Sequence, residues 1–139
     1  AYRTGVQSIR QGGVKNVSWT LVLQPLLPDW ARKGQANPLG LDGCPEEPLV
    51  IVQFTVNWSL EKDDGEMEKI TRAAIEQIDA FAHKHETGHR YRYLNYCGSC
   101  QDPFPGYGKE NLEFLRSVSR EYDPDGLFQR GCPGGFKLG

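Results

Sequence analysis

Apolar positions recur along the chain with two different periods. From Ser18 to Leu26 they alternate, Trp19, Leu21 and Leu23 against Thr20 and Val22, which predicts a strand that Pro25 and Pro28 close. A second strand is predicted from Leu49 to Ser59. Leu49 to Val52 is apolar on both faces, and Phe54, Val56 and Trp58 then alternate with Thr55 and Asn57, so its first half is expected to be buried on both sides. Met67, Ile70, Ala74, Ile78 and Phe81 follow at helical spacing behind the acidic start Asp63-Asp64-Gly65-Glu66, an amphipathic helix expected to pack on the sheet and to stop at Gly88. Alternation returns in Arg90 to Cys97. A third strand there places Tyr91, Tyr93 and Asn95 on one face and Arg92, Leu94 and Tyr96 on the other. Leu112, Leu115, Val118 and Tyr122 mark a second helix that Asp123-Pro124-Asp125-Gly126 ends.

The stretches between these elements are polar or rich in Gly and Pro. The opening Ala1 to Lys15 reads as mostly polar, with Gly12-Gly13 as a break, and Pro28 to Pro48 reads as a loop of about 20 residues, a length that in a compact domain points to function or to a partner. The tail, 123–139, has little capacity for regular structure, and no internal repeat is present. The order β-β-α-β-α plus an irregular tail predicts an α+β fold, an antiparallel sheet with helices packed on one face.

A chain of 139 residues is expected to form one domain. Its net charge of -2, with Lys and Arg scattered among the acids, gives no basic stripe, which argues against nucleic acid as a partner. No apolar run approaches the roughly 20 residues that span a bilayer, so no membrane association is expected. No charged-then-apolar amino terminus suggests a signal peptide, although the start at Ala1 leaves a removed leader open. A cytoplasmic location is expected. Secretion stays open through Asn16-Val17-Ser18 and Asn57-Trp58-Ser59, which match a short acceptor pattern for glycosylation.

Candidate chemistry concentrates in Arg90 to Cys97. Phenols beside an amide can bind, orient and exchange a proton, while the bland reading makes Tyr91 and Tyr93 ordinary half-buried strand aromatics. Arg90 is placed to steady an anion, against the common fate of a strand-flanking arginine as a solvated edge residue. His83, His85 and His89 resemble a metal tract, but positions 83 and 85 lie about 200° apart on a helix and suit a cationic helix end better. Cys97-Gly98-Ser99-Cys100 has redox or zinc half-site spacing, with only Cys44 and Cys132 to complete a site, so structural thiols or a disulfide are the plainer reading. The acids of 63–68 read as helix-start charges rather than paired catalytic carboxylates. Trp19 and Trp58, with Phe54, could line an apolar pocket, although core packing is the default for tryptophan in strands.

Tyr93-Leu94-Asn95-Tyr96, Gln101-Asp102, Tyr107-Gly108, Asn111, Leu115, Tyr122-Asp123-Pro124, Phe128-Gln129 and Pro133 to Leu138 together resemble the end of the fungal berberine-bridge-enzyme-like FAD-linked oxidases. The earlier Trp19 to Pro25, Leu39-Gly40-Leu41 and Val52 to Trp58 also fit that family's substrate domain. The resemblance implies that Tyr93 serves as a base beneath a flavin ring, with Asn95 and Tyr96 in supporting contacts. The family's FAD domain, with its Gly-rich pyrophosphate loop, has no counterpart here: the glycines near Gly134 follow no strong strand and open no helix.

A substrate domain without its flavin half is expected to expose apolar surface and to self-associate as a homodimer. The first functional expectation is a small enzyme of specialised metabolism, a flavin-independent cyclase or isomerase. Tyr93, Asn95 and Arg90 are its catalytic residues, and Tyr91, Trp19, Trp58 and Phe54 its contacts to a hydrophobic small molecule. No cofactor is expected in that case. The alternatives are a fragment or subunit of a FAD-dependent oxidoreductase, needing FAD only through a separate flavin-binding partner, and a non-catalytic binding module.

Overall fold

A computed structural model of the chain describes residues 1–33, 37–41 and 46–138, with the side chain of Arg32 excepted. The fold is α+β, with a two-stranded antiparallel sheet formed by β1 (Ser18–Leu26) and β2 (Leu49–Asn57). The helices are α1 (Tyr2–Gln11), α2 (Pro28–Arg32), α3 (Asp64–Lys84) and α4 (Lys109–Tyr122). The chain divides into two compact units. The first comprises Ala1–Gln24 and Val50–His89; the second comprises Pro25–Leu49 and Arg90–Gly139.

In the first unit the alternation of both strands delivers one apolar face to the helices. Trp19 and Phe54 meet across it with ring centroids 4.7 Å apart. Ile9 from α1 and Met67, Ile70 and Ala74 from α3 close the core over Trp19, with Phe54, Val56 and Trp58 packed around it. Met67 has no exposed surface at all. The α3 start is as its charges predict: Asp64 and Glu66 stand in the first turn, and the Trp58 indole Nε1 donates to Asp64 Oδ1 at 2.6 Å.

Three expectations are corrected in this unit. The polar opening contains α1, because Gly5 and Ile9 present a narrow buried stripe; a side chain at Gly5 would collide with the Trp19 ring. Gly12-Gly13 is the expected break before β1, and what it ends is this helix. The α3 helix also ends before Gly88. Glu86 takes φ 56°, and the amides of Glu86 and Thr87 donate back to the carbonyls of His83 and Ala82 at 3.2 and 2.9 Å, which is the Schellman pattern with Glu in the position Gly usually fills. Finally, Val50 is 57% exposed, so the first half of β2 is not buried on both faces.

The second unit departs furthest from the sequence reading. Residues 91–93 are irregular and Leu94–Tyr96 forms a 3-10 turn, so the third strand is absent. The amides of Tyr96 and Cys97 donate to the carbonyls of Tyr93 and Leu94 at 2.9 and 3.2 Å, closing the turn locally. Asn95, a residue that favours turns over strands, sits at its middle. The loop expected over Pro28 to Pro48 opens with the short helix α2, and α4 begins three residues before its first apolar marker, Leu112. The tail is irregular apart from a π-helical turn at Leu127–Gly131, held by Asp123, whose carboxylate accepts from the amides of Leu127 and Phe128 at 2.7 and 2.9 Å.

Candidate functional site

The turn after Tyr93 decides which side chains meet. In a 3-10 turn residues three apart eclipse each other, whereas strand alternation would set Tyr93 and Tyr96 on opposite faces. The two rings in fact pack edge to face, with centroids 4.7 Å apart and planes at 74°. Asn95 Nδ2 donates to the Tyr93 hydroxyl oxygen at 2.9 Å. Tyr93, Asn95 and Tyr96 thus form one cluster. The turn, rather than strand alternation, brings Tyr93 and Asn95 together, and it puts the Tyr96 ring against Tyr93 instead of on an opposite face.

Beside this cluster lies an aromatic layer centred on buried Tyr107, a residue given no functional role from the sequence. Tyr107 is 3% exposed, stacks with Tyr91 at 6.1 Å and 22°, and meets Phe104 edge-on at 5.9 Å. The Asn111 side chain donates to the Tyr107 carbonyl at 2.9 Å, one turn into α4. Backbones approach so closely that a Cβ on Gly106 would collide with the Arg90 carbonyl, and one on Gly40 with that of Tyr107. The glycines at these positions were the available signal: Gly40 has φ 71°, a conformation side chains rarely adopt. The Arg90 side chain is exposed, and its guanidinium lies about 3.8 Å from where a Cβ on Gly108 would stand.

Burial pushes the Tyr107 phenol above its ordinary value, with Cys97 and then Tyr93 adding to the shift. Burial likewise pushes the Cys97 thiol up; Arg92 opposes the shift, while Asp102 and Cys100 add to it. Cys97 Sγ is 3.4 Å from the Tyr93 carbonyl, which accepts from the thiol. A thiol held protonated in this way is a poor nucleophile, which suits the structural reading of Cys97. Cys97, Cys100 and Cys132 are all free thiols, and Cys44 lies outside the described residues. Among the described residues no group of His, Cys, Asp and Glu could hold a metal; His85 instead pairs its ring with Phe81 at 4.3 Å.

The seven residues expected to form the site fall into two groups. Arg90, Tyr91, Tyr93 and Asn95 belong to the second unit, and Trp19, Phe54 and Trp58 to the first. Trp19 is a core residue with Phe54 packed against it at a tilt, and Trp58 is tied to Asp64, so packing accounts for all three. The described residues contain no Gly-rich turn between a strand and a helix. Gly134 and Gly135, at φ 77° and 66°, follow the π-helical turn and open no helix, so they offer no diphosphate cradle. No described helix is long and apolar enough to cross a membrane.

No protein-family model and no solved structure matches the chain. Curated proteins do. The chain is 39% identical over 127 residues to a FAD-dependent monooxygenase of Emericella nidulans, covering 89% of this chain and 26% of that protein. A FAD-dependent monooxygenase of Fusarium proliferatum is 38% identical over 123 residues, 85% of this chain and 23% of its own length. The bifunctional solanapyrone synthase of Alternaria solani is 31% identical over 120 residues, again 85% of this chain and 23% of the relative. The chain therefore spans about a quarter of the length of these relatives. Both monooxygenases carry FAD dependence in their names, as properties of the whole proteins.

Proposed function

We propose that this chain is the substrate-side portion of a FAD-linked oxidoreductase of the berberine-bridge-enzyme-like kind, with the Tyr93 cluster as its reactive surface. The observation that carries this reading is the Asn95 Nδ2 to Tyr93 Oη hydrogen bond, 2.9 Å long, inside a segment shared with FAD-dependent relatives. The amide occupies one acceptor site of the phenol oxygen and is placed to steady negative charge there. As the phenolate, Tyr93 takes a proton from a substrate carbon or hydroxyl and becomes the neutral phenol, and Tyr96 packs the ring in place. A bound flavin would supply the hydride or electron acceptor. Since the described residues offer no diphosphate cradle, FAD would be held chiefly by other polypeptide, whether in the same chain or in a partner.

Arg90 is a weaker participant in this reading, because its guanidinium lies over Gly108. The substrate is a hydrophobic small molecule, as expected from the aromatic character of the surface. Self-association as a homodimer is also proposed, on the exposure of Leu23 (62%) and Val50 (57%); sedimentation as a monomer at all concentrations would remove it.

The test replaces the matching segment of the Emericella relative with these residues. The chimera should purify with flavin absorbance and turn over substrate, and Tyr93→Phe in it should retain the flavin while losing at least about 100-fold in kcat, the range of general acid-base catalysis. A flavin-loaded chimera whose turnover is unchanged by Tyr93→Phe would remove Tyr93 from the mechanism.

A further inference from the structure

We infer that Tyr107 is a positioning residue for the Tyr93–Asn95 pair, acting through the ring of Tyr91 and through the close backbone approach of Gly106 to Arg90. The segment from Arg90 to Tyr93 lies outside the two-stranded sheet of β1 and β2. Two contacts bear on the direction in which the Leu94–Tyr96 turn leaves the chain. Two residues before Tyr93, the Tyr91 ring lies against Tyr107 at 6.1 Å. At the preceding residue, the Arg90 carbonyl is packed where a side chain on Gly106 would stand.

Tyr107 can act as an anchor because it is itself held from three directions. Phe104 meets its ring, Asn111 donates to its carbonyl at 2.9 Å, and Gly40 packs against its backbone. At 3% exposure it is the most deeply buried aromatic of the second unit. The upward shift of its phenol by burial, with contributions from Cys97 and Tyr93, agrees with a ring lying among the same groups. A misdirected Tyr91 would swing Tyr93 with it, and an error of about 1 Å at a reacting atom can cost about 100-fold in rate.

The functional weight of this inference rests on the role proposed for Tyr93, but its test does not. NMR of the isotopically labelled chain reports the pair directly, through contacts between the Asn95 side-chain amide and the Tyr93 ring and through the ring-current shifts that Tyr93 and Tyr96 impose on each other. In Tyr107→Leu, which keeps an apolar side chain but loses the stacked ring, those contacts and shifts should disappear, while the Met67 methyl and Trp19 indole signals of the first unit stay in place. Tyr91→Leu should remove them in the same way. Tyr107→Phe should retain them.

Persistence of the pair in either folded leucine variant, or its loss in Tyr107→Phe, would overturn the inference. Should Tyr107→Leu fail to fold, the half-buried partner in the stack gives the decision through Tyr91→Leu alone. A chimera indifferent to Tyr93→Phe would sink the proposed function and leave this result standing, so the two failures are distinguishable.

Discussion

The two units are held together by different physics. The first is built from the outside of a sheet and two helices turned inward: Ile9, Trp19, Met67, Ile70 and Ala74 form one apolar cluster. The second has helix α4 with no fully buried residue; to the burial of Ala31, Leu41, Pro103 and Tyr107 it adds close backbone contacts at Gly40 and Gly106 and side chains bonded to carbonyls. Arg116 Nε donates to Leu138 O at 3.0 Å, and Lys137 Nζ donates to Phe128 O and Cys132 O at 2.8 and 2.9 Å. Apolar burial is itself non-directional, whereas hydrogen bonds and close backbone approaches fix geometry. The candidate site lies in the unit that fixes geometry.

That contrast can be broken from the first side by making a cavity. Met67→Ala removes a side chain with 0% exposure, and it should destabilise the protein by about 2–5 kcal/mol, the range for large-to-small core changes. Urea unfolding measures it. A loss below about 1 kcal/mol would show that the core is looser than its contacts imply.

From the second side the equivalent change adds atoms instead of removing them. Gly40→Ala puts a Cβ against the Tyr107 carbonyl at φ 71°. The strain and overpacking should together cost about 1–3 kcal/mol. The decisive readout is local: spectral changes should centre on Tyr107 and Tyr91 and leave the Met67 and Trp19 signals alone. Perturbation of the Met67 core by Gly40→Ala would show that the contrast between the units is false.

Where the sequence reading succeeded follows the same division. Trp19, Phe54, Met67, Ile70 and Ala74 were legible because burial against a sheet imposes periods of two and 3.6, and burial is what apolar periodicity records. Helix α1 was missed because Gly5 and Ile9 are its only buried residues, too short a stripe to stand out among Arg3, Gln7, Ser8 and Arg10. The Tyr91 to Tyr96 segment was misread because alternation of aromatic and other residues is also produced by a chain whose partners are local. What set its shape was the Tyr93–Tyr96 turn, and the anchor for it, Tyr107, lies eleven residues past Tyr96 and carries no periodic signal.

A weaker probe of the second unit is alkali. Burial holds both the Cys97 thiol and the Tyr107 phenol above their ordinary values of 9.0 and 10.0. The folded unit therefore keeps protons that the unfolded chain sheds. Stability from these groups is fully present below pH 9.0 and is lost as pH rises through the higher folded values. The urea midpoint should fall across that window, and Tyr107→Phe should flatten the fall. A midpoint as steep in that variant as in the parent would place the alkaline loss elsewhere.

The smallest expected effect strengthens the first unit. Glu86 closes α3 in the left-handed region at φ 56°, where a side chain costs about 1–2 kcal/mol that glycine avoids. Relief of that cost is opposed by the greater freedom glycine has in the unfolded chain, roughly 0.5–1 kcal/mol, so Glu86→Gly should stabilise by at most about 1 kcal/mol. Urea unfolding, with amide exchange at Thr87 as the local reporter, measures it. Slower exchange at Thr87 with unchanged exchange around Tyr107 would mean that tightening one unit does not tighten the other. Faster exchange at Thr87 would mean that the glutamate holds this helix end by more than its backbone conformation.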